Sequence, residues 1–349
     1  MPVVRIAIAG AGSVSRHYLS DLQDCPHAQV VAICDVVPER ARERAEQYGV
    51  TQVFDSVDDM LSGCDFDMLV NLTSMQQHYP INRKALQAGR HVLCEKPFAT
   101  TLDEGRSLID AARARGVNLW ATPTVVTSPA FRCMAQLLDQ KAVGDVYVAR
   151  AWYGHGGPGW GPWFYQKGGG CLFDLGVYNI TTLTGLLGPA RSVTALMGTA
   201  VPERFVEGQH VKVEADDNTI VLMDHGNSVF SCVMTGFVYG PYHEERTIEL
   251  VGTKGSINML GWDWHPKGVE IWDAGSDGWK VVCEDQQGYN WNQGASYLAR
   301  CLASGERPWM SIEHAFHVLE VMLAAQKSAE TRQCVQVHSL FPAPWREEA

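Results

Sequence analysis

Apolar residues over positions 1–121 fall in short unbroken runs separated by amphipathic stretches, and after position 140 the pattern changes to longer runs of alternating apolar and polar residues. The runs at 3–9, 29–34, 68–71, 90–94 and 118–121 read as strands buried on both faces. Between them, 38–48, 78–88 and 102–115 carry charged and apolar residues at helical spacing. Strands alternating with helices in this way predict a right-handed, doubly wound parallel sheet with helices on both faces, ending at Thr122-Pro123. A helix at 129–140 then precedes alternating runs at 146–152, 219–223, 228–235 and 247–251. Turn residues at 224–227 and 253–255 suit hairpins. Residues 123–349 are therefore expected to form an α/β domain on a large, mostly antiparallel open sheet with one face covered. Helices at 292–304 and 311–329 should complete that domain, with 341–349 as an irregular surface strap.

With 349 residues and 46% apolar content, the chain has enough apolar material for two domains, each with its own core. The net charge of −11 argues against nucleic acid or an anionic membrane as partner, since both need basic patches that are not found. Ten cysteines show no paired metal-ligand spacing, and Cys34, Cys94 and Cys232 sit inside apolar runs as small buried thiols. Reduced thiols, the lack of a basic-then-apolar leader and of any apolar run near the roughly 18 residues of a membrane span lead to the expectation of a cytoplasmic enzyme without a metal.

The run at 3–9 leads into Gly10-Ala11-Gly12-Ser13-Val14-Ser15 and then a helix. Gly10 permits a tight turn, Gly12 lets backbone approach a pyrophosphate, and the helix after Ser13 and Val14 offers unpaired N–H groups and its positive end to the phosphates. Ser15 stands where the dinucleotide fingerprint has its third glycine, which implies slightly looser helix–strand packing. Asp35 closes the second run at the separation expected of a carboxylate that binds ribose hydroxyls. Its charge would repel a 2′-phosphate, so the expected cofactor is NAD rather than NADP. Glu95-Lys96-Pro97 end the run at 90–94, and because ligands in open α/β sheets bind beyond the carboxyl ends of strands, Lys96 would face a ligand.

A second cluster is Gly168-Gly169-Gly170-Cys171-Leu172-Phe173-Asp174-Leu175-Gly176-Val177-Tyr178-Asn179. If the glycines open a helix, Asp174 and Tyr178 lie on one face, where an acid and a phenol can reach one substrate. The same spacing suits an amphipathic helix start with Tyr178 half-buried and Asp174 as partner of the helix dipole. Upstream, Trp152, Tyr153, His155, Trp160, Trp163, Phe164 and Tyr165 crowd a glycine- and proline-rich segment. Such aromatics either stack on a sugar face or plug a core. His155 is a candidate proton donor, or simply a hydrogen-bonded loop residue.

The glycine loop 10–15, Asn71-Leu72-Thr73 followed by His78, Glu95-Lys96-Pro97, and Gly168-Gly169-Gly170 leading to Asp174 and Tyr178 give nearly the whole chain a resemblance to the Gfo/Idh/MocA family of glucose-fructose oxidoreductase- and inositol dehydrogenase-like proteins. The resemblance implies a Rossmann domain, 1–122, and an α/β domain, 123–349, whose open sheet commonly forms a dimer face, with nicotinamide bound between the domains. A homodimer or homotetramer is expected. By the same resemblance Lys96, Asp174 and Tyr178 are the catalytic group. Thr73, His78 and Glu95 join Gly10, Gly12, Ser13, Val14, Asp35 and Lys96 around the cofactor, and His155, Trp160, Trp163 and Asn179 are assigned to the substrate. Tyrosine at 178 is similar to the glucose-fructose oxidoreductase and dihydrodiol dehydrogenase branches, where many inositol dehydrogenase-like members have histidine. The segment 121–132 lacks the arginine-phenylalanine pattern often found after the last Rossmann strand.

The implied reaction is hydride transfer between a secondary alcohol of a sugar, glycoside or polyol and nicotinamide. Tyr178 takes the hydroxyl proton, and Lys96 favours the anionic forms, bringing a phenol of pKa about 10 closer to working pH. Asp174 orients the hydroxyl or the lysine. Two other readings stand beside it: an NAD-retaining glycosidase that oxidises its sugar transiently, and a non-catalytic NAD-binding regulator, against which the intact Lys96, Asp174 and Tyr178 argue.

Overall fold

The structure, a computed structural model, describes residues 2–240, 246–284, 286 and 288–345. The chain divides into two compact units, Met1–Thr124 with Trp291–Ala315, and Val125–Asn290 with Phe316–Ala349.

In the first unit, β1 (Val4–Ala9), β2 (Ala28–Cys34), β3 (Gln52–Phe54), β4 (Met68–Asn71), β5 (His91–Cys94) and β6 (Leu119–Ala121) form one sheet in the order 3-2-1-4-5-6, with every neighbouring pair parallel. The helices are α1 (Ser15–Gln23), α2 (Pro38–Tyr48), α3 (Val57–Gly63), α4 (Met75–Gln87) and α5 (Leu102–Arg115). Ile6, Ile8, Met68, Leu69 and Val70 lose all solvent contact, as strands covered on both faces must. The chain runs outward through β2 and β3, then starts again beside β1 and runs the other way, which opens a crevice at the carboxyl ends of β1 and β4. α4 starts at Met75, ahead of the expected position 78.

The second unit contains α6 (Pro129–Asp139), β7 (Val146–Gly154), α7 (Val177–Leu187), β8 (Ser192–Gly198), a small hairpin of β9 (Glu203–Val206) and β10 (Gln209–Lys212), β11 (Asn218–Gly226), β12 (Val229–Gly236), β13 (Ile248–Gly252), β14 (Gly255–Trp262), β15 (His265–Asp273) and β16 (Lys280–Cys283). With β17 (Val335–Gln336), the strands other than β9 and β10 make a nine-stranded sheet ordered 16-15-14-13-7-12-11-8-17. All its pairs are antiparallel except β7 and β12, which run parallel. Alternation runs through 218–225 on β11 and 230–235 on β12. Val221, Met223 and Val233 are buried towards the helices, whereas Ile220, Leu222, Phe230 and Met234 are exposed on the other face. The turn expected over 224–227 falls later, at Asn227-Ser228, both left-handed (φ 53° and 61°), because Gly226 pairs with Val229.

α8 (Gly294–Ser304), expected to complete the second domain, belongs instead to the first unit, which also runs past the expected break at Thr122-Pro123 to Thr124. Asn292 Nδ2 donates to the His17 carbonyl at 2.7 Å, and Trp291 lies 5.2 Å from the His17 ring. α9 (Ile312–Thr331) carries Ser328, whose Oγ accepts from Ala195 N at 3.0 Å. The strap is anchored by buried Phe341 and by Trp345 Nε1 donating to the Gly185 carbonyl at 3.0 Å, while 346–349 lie outside the described residues. Among the described residues no helix is long and apolar enough to cross a membrane.

Candidate active site

Parallel pairing brings the carboxyl ends of the first unit's strands to one sheet edge, and the loops leaving β1, β2, β4, β5 and β6 carry Gly10, Asp35, Thr73, Lys96 and Thr122. Gly10 has φ +98°, and a Cβ there would come within 2.8 Å of the Leu72 carbonyl, so both conformation and space require glycine. At Gly12 a Cβ would meet nothing within 4 Å, which leaves the loop open on the side a phosphate would approach. Ser13 is exposed and Val14 half-buried. No side chain caps the amino end of α1; Ser15 N and His17 N donate to the Gly12 and Val14 carbonyls at 3.3 and 3.1 Å, and the positive end of the helix dipole faces the loop where a phosphate would sit. Ser15 is buried, and its Oγ donates to the Gly12 carbonyl at 2.7 Å, tying the helix to the loop where a third glycine would have allowed closer packing.

Asp35 accepts from Ala11 N through Oδ2 at 2.7 Å and from Val37 N through Oδ1 at 2.8 Å. One carboxylate thus braces the glycine loop and keeps further lone pairs for hydroxyl donors at the end of β2. Beyond β5, Glu95 accepts from the Tyr18 phenol at 2.6 Å, from Thr122 Oγ1 at 3.0 Å and from Lys96 N at 3.1 Å. These bonds fix the backbone that bears the Lys96 side chain. Beyond β4, buried Asn71 accepts from Thr73 N at 3.2 Å and Thr73 Oγ1 at 2.6 Å, and donates to Asn82 Oδ1 at 2.8 Å. His78, expected at the cofactor, is 1% exposed, with Nδ1 against the Pro97 carbonyl at 2.7 Å and Nε2 against the Thr73 carbonyl at 3.0 Å. Burial pushes its pKa down. The buried ring lies between the Pro97 and Thr73 carbonyls, one of which accepts its single N–H, so His78 packs these two loops together.

In the second unit the glycine run leads through Cys171 into a wide turn at Leu172–Gly176, and only then into α7. A regular helix from the glycines onward was the expectation. The wider winding, a feature frequent at functional sites, places Asp174 on the turn and Tyr178 on the first turn of α7, both half-buried. Asp216 holds the start of this turn. Its Oδ2 accepts from Cys171 Sγ at 3.0 Å, Leu172 N at 3.0 Å and Thr219 Oγ1 at 2.7 Å, while burial raises its pKa against those donors. The Tyr178 ring meets Tyr153 edge-on at 6.1 Å and packs on a core that includes Phe164, Tyr165, Phe237 and Trp262. His155 lies 6.3 Å from Tyr153 and 5.6 Å from Phe237. Burial lowers the His155 pKa, the Asp174 carboxylate works against that, and Arg204 adds to it. His155, Asp174 and Tyr178 therefore share one aromatic-walled neighbourhood.

Trp160 and Trp163 are 57% and 39% exposed, the latter stacked on Phe164 at 3.7 Å, so both present ring area to solvent. Tyr153, Phe164 and Tyr165 are core instead. Asn179, expected at the substrate, is fully buried. Its Nδ2 donates at 3.0 Å to Asp263 Oδ2, which also accepts from Thr182 Oγ1 at 2.9 Å. Asn179 therefore pins α7 to the residue after β14. Burial raises the Asp263 carboxyl to about 6. Sequence reasoning missed Tyr18, Thr122, Arg204, Asp216 and Asp263, and for the aspartates and the arginine the available signal was a charge flanking an apolar run. Among the described residues no group of three or more His, Cys, Asp or Glu could hold a metal ion.

The family model for an oxidoreductase family with an NAD-binding Rossmann fold (GFO_IDH_MocA) matches residues 4–122, and that for the GFO/IDH/MocA C-terminal domain matches residues 131–258. The trans-1,2-dihydrobenzene-1,2-diol dehydrogenase of Macaca fuscata fuscata is 26% identical over 345 residues, 96% of this chain and 97% of its own length. The 1,5-anhydro-D-fructose reductase of Ensifer adhaerens is 26% identical over 259 residues, 72% of this chain and 74% of its own. Levoglucosan dehydrogenase in complex with NADH and L-sorbose shares the fold, with a TM-score of 0.87 at 20% identity over 97% of this chain and 100% of that one.

Proposed function

The chain belongs to the Gfo/Idh/MocA oxidoreductase family, with its NAD-binding Rossmann fold, and from that premise we propose that it interconverts a secondary alcohol and the matching ketone on a cyclic sugar, glycoside or polyol. The relatives are named for rings of that kind, a cyclic diol and an anhydro-ketose. Bound NAD supplies the hydride acceptor. Gly10, Gly12 and the uncapped start of α1 would hold its pyrophosphate and Asp35 its ribose, with Thr73, Glu95 and Lys96 at the neighbouring strand ends. The Asp35 charge disfavours a 2′-phosphate, hence NAD over NADP.

Tyr178 Oη takes the substrate's hydroxyl proton, and the Lys96 ammonium favours the developing alkoxide. Asp174 orients the hydroxyl, His155 contributes a hydrogen bond, and the exposed faces of Trp160 and Trp163 suit the apolar face of a ring. The observation that carries this reading is the convergence of an acid, a phenol and an imidazole around the wide turn. A panel of monosaccharides, anhydrosugars, inositols and glycosides with NAD or NADP, followed by absorbance of the reduced nicotinamide, tests it. Multiple-turnover reduction is expected, and no reduction by any member despite cofactor binding would overturn the reading.

The open sheet face supports a homodimer or homotetramer. Leu196, Ile220 and Met234 align across β8, β11 and β12, and Val251, Val148 and Phe230 across β13, β7 and β12, all exposed. A contiguous apolar surface of this sort marks an interaction face. Ten free cysteines support a reducing, cytoplasmic setting.

A further inference from the structure

His155 and its loop are gripped by a residue to which the reaction above gives no role. Arg204, on β9, has a side chain only 12% exposed. Its Nη1 donates to the Gly156 carbonyl at 2.7 Å, its Nη2 donates to the Phe237 carbonyl at 2.8 Å, and Nη2 lies 3.4 Å from Asp217 Oδ2. Gly156 follows β7, Phe237 follows β12 and Asp217 precedes β11, so one guanidinium ties together the ends of three strands. It lies over the Tyr165 ring at 5.0 Å, and Tyr165 Oη donates to the Pro158 carbonyl at 2.7 Å. His155 sits between the grips, its own N–H donating to the Gly236 carbonyl at 3.0 Å. Gly157 N donates to His155 Nδ1 at 3.0 Å. That turn needs a glycine for space, because a Cβ at 157 would come within 2.5 Å of both Arg204 Nη1 and Tyr165 Oη.

We propose that Arg204 is a positioning residue that holds His155 as a neutral ring with its proton on Nε2, directed to the substrate as a hydrogen-bond donor; this rests on the reading of His155 as a substrate contact. Protonating Nδ1 would break the bond from Gly157. The charged and titratable groups around the imidazole are Asp174 from the wide turn, Arg204 from β9, Tyr153 from β7, Tyr165 from the short turn Pro162–Tyr165, Tyr178 from α7 beyond Tyr153, and Tyr239, whose N–H donates to the His155 carbonyl at 3.3 Å. Asp174 favours the imidazolium, burial and Arg204 oppose it, and the outcome is a pKa below the ordinary value. A ring protonated on Nε2 has no lone pair there for the hydroxyl proton, which leaves that role to Tyr178. It can donate to the oxygen of the alcohol and of the ketone alike, keeping the ring in place through the reaction.

Nitrogen-15 NMR of the full chain with labelled histidine, the His155 signals assigned by their loss in His155→Gln, reads the tautomer and the titration directly. The expected result is an Nε2–H signature at neutral pH and a midpoint below that of an ordinary histidine. The midpoint should move up in Arg204→Gln and stay low in Arg204→Lys, which keeps the charge. With levoglucosan, D-glucose or myo-inositol, whichever turns over fastest, His155→Gln should stay within about 10-fold of wild-type kcat/KM because its amide donates from a similar place, while His155→Ala should lose roughly 10²-fold. Arg204→Gln should be impaired most on the acid side and recover as pH rises. An Nδ1–H signature in the wild type overturns the proposal even if no Arg204 variant folds, and so does an unmoved midpoint in Arg204→Gln. The expected tautomer and shift with unchanged turnover in His155→Ala would overturn the donor role by removing His155 from the substrate, a failure of the site reading distinguishable from failure of the clamp.

Discussion

Replacing Asp263 by asparagine should stabilise the protein, by an amount that grows with pH. The Asp263 carboxyl is fully buried, and loss of hydration raises its pKa from the ordinary 3.8 to about 6 against hydrogen bonds from Asn179 and Thr182. Its Oδ1 and the Asn179 Oδ1 find no hydrogen-bond partner among the described residues. Between pH 3.8 and about 6 the folded state keeps a proton that the unfolded chain has released, so stability is full below the lower value and falls as pH rises to the upper one. A displacement from 3.8 to about 6 corresponds to about 3 kcal/mol. Asparagine keeps an acceptor for Asn179 and Thr182 and leaves no charge to bury. Relative to its value at pH 4, by which the unfolded carboxyl is already partly ionised, the stability of the variant over wild type should therefore rise by about 2.5 kcal/mol by pH 8, or roughly 5–10 °C in Tm for a unit of this size. Circular-dichroism melts from pH 4.5 to 8.5 at constant ionic strength measure it. Parallel Tm curves for the two proteins across that range would refute the reasoning.

Lys96→Met should lower the rate by roughly 10²–10³ with little change in NAD affinity or Tm, and near-wild-type turnover would remove Lys96 from the chemistry. Tyr178→Phe keeps the ring contact to Tyr153 at 6.1 Å but loses the ionisable oxygen, so the rate should fall about 10²–10⁴ and the alkaline rise of the pH–rate profile should disappear; a raised KM alone would make Tyr178 a binding residue. Asp35→Ser should narrow the preference for NAD over NADP in binding titrations, and because Ala11 N and Val37 N lose their carboxylate acceptor, it should also destabilise by about 1–3 kcal/mol. An unchanged preference would count against Asp35 as the discriminator. Leu222→Glu, on the exposed sheet face, should convert the assembly to monomers in sedimentation velocity, and a monomeric wild type would rule out that face as the interface.

The strand-end chemistry of the first unit is legible in the sequence because each group acts beside the strand it follows. Gly10, Asp35 and Lys96 need no distant partner to be placed at a sheet edge. Where distant partners decide, sequence misleads. The resemblance assigns His78 and Asn179 to cofactor and substrate, but it does not reveal that the His78 ring is buried between the Pro97 and Thr73 carbonyls or that Asn179 bonds Asp263. Arg204 acquires its meaning from carbonyls at 156 and 237, which no local pattern connects. β14 to β16 escape a period-two reading for a related reason: register shifts at Leu260/Gly261 and Val269/Glu270 interrupt the alternation. The helix at 294–304 is plain from its periodicity, but periodicity says nothing of which unit a helix joins.

The parallel pairing of β7 and β12 has an evolutionary consequence. Parallel neighbours cannot be joined by a tight turn, so the chain leaving Gly154 makes a long excursion, lays down β8 and β11 on the far side of β12, and returns only at Val229. His155, Trp160, Trp163, Asp174, Tyr178 and Arg204 all lie on that excursion, outside the strands of the large sheet. Loops tolerate changes of length far better than paired strands do. On the proposed function, substrate preference can therefore drift in the parts of that stretch on either side of β8 while the strand order stays fixed. Residues 155–217 are accordingly the natural segment to exchange with a relative when a new specificity is wanted on the same chassis.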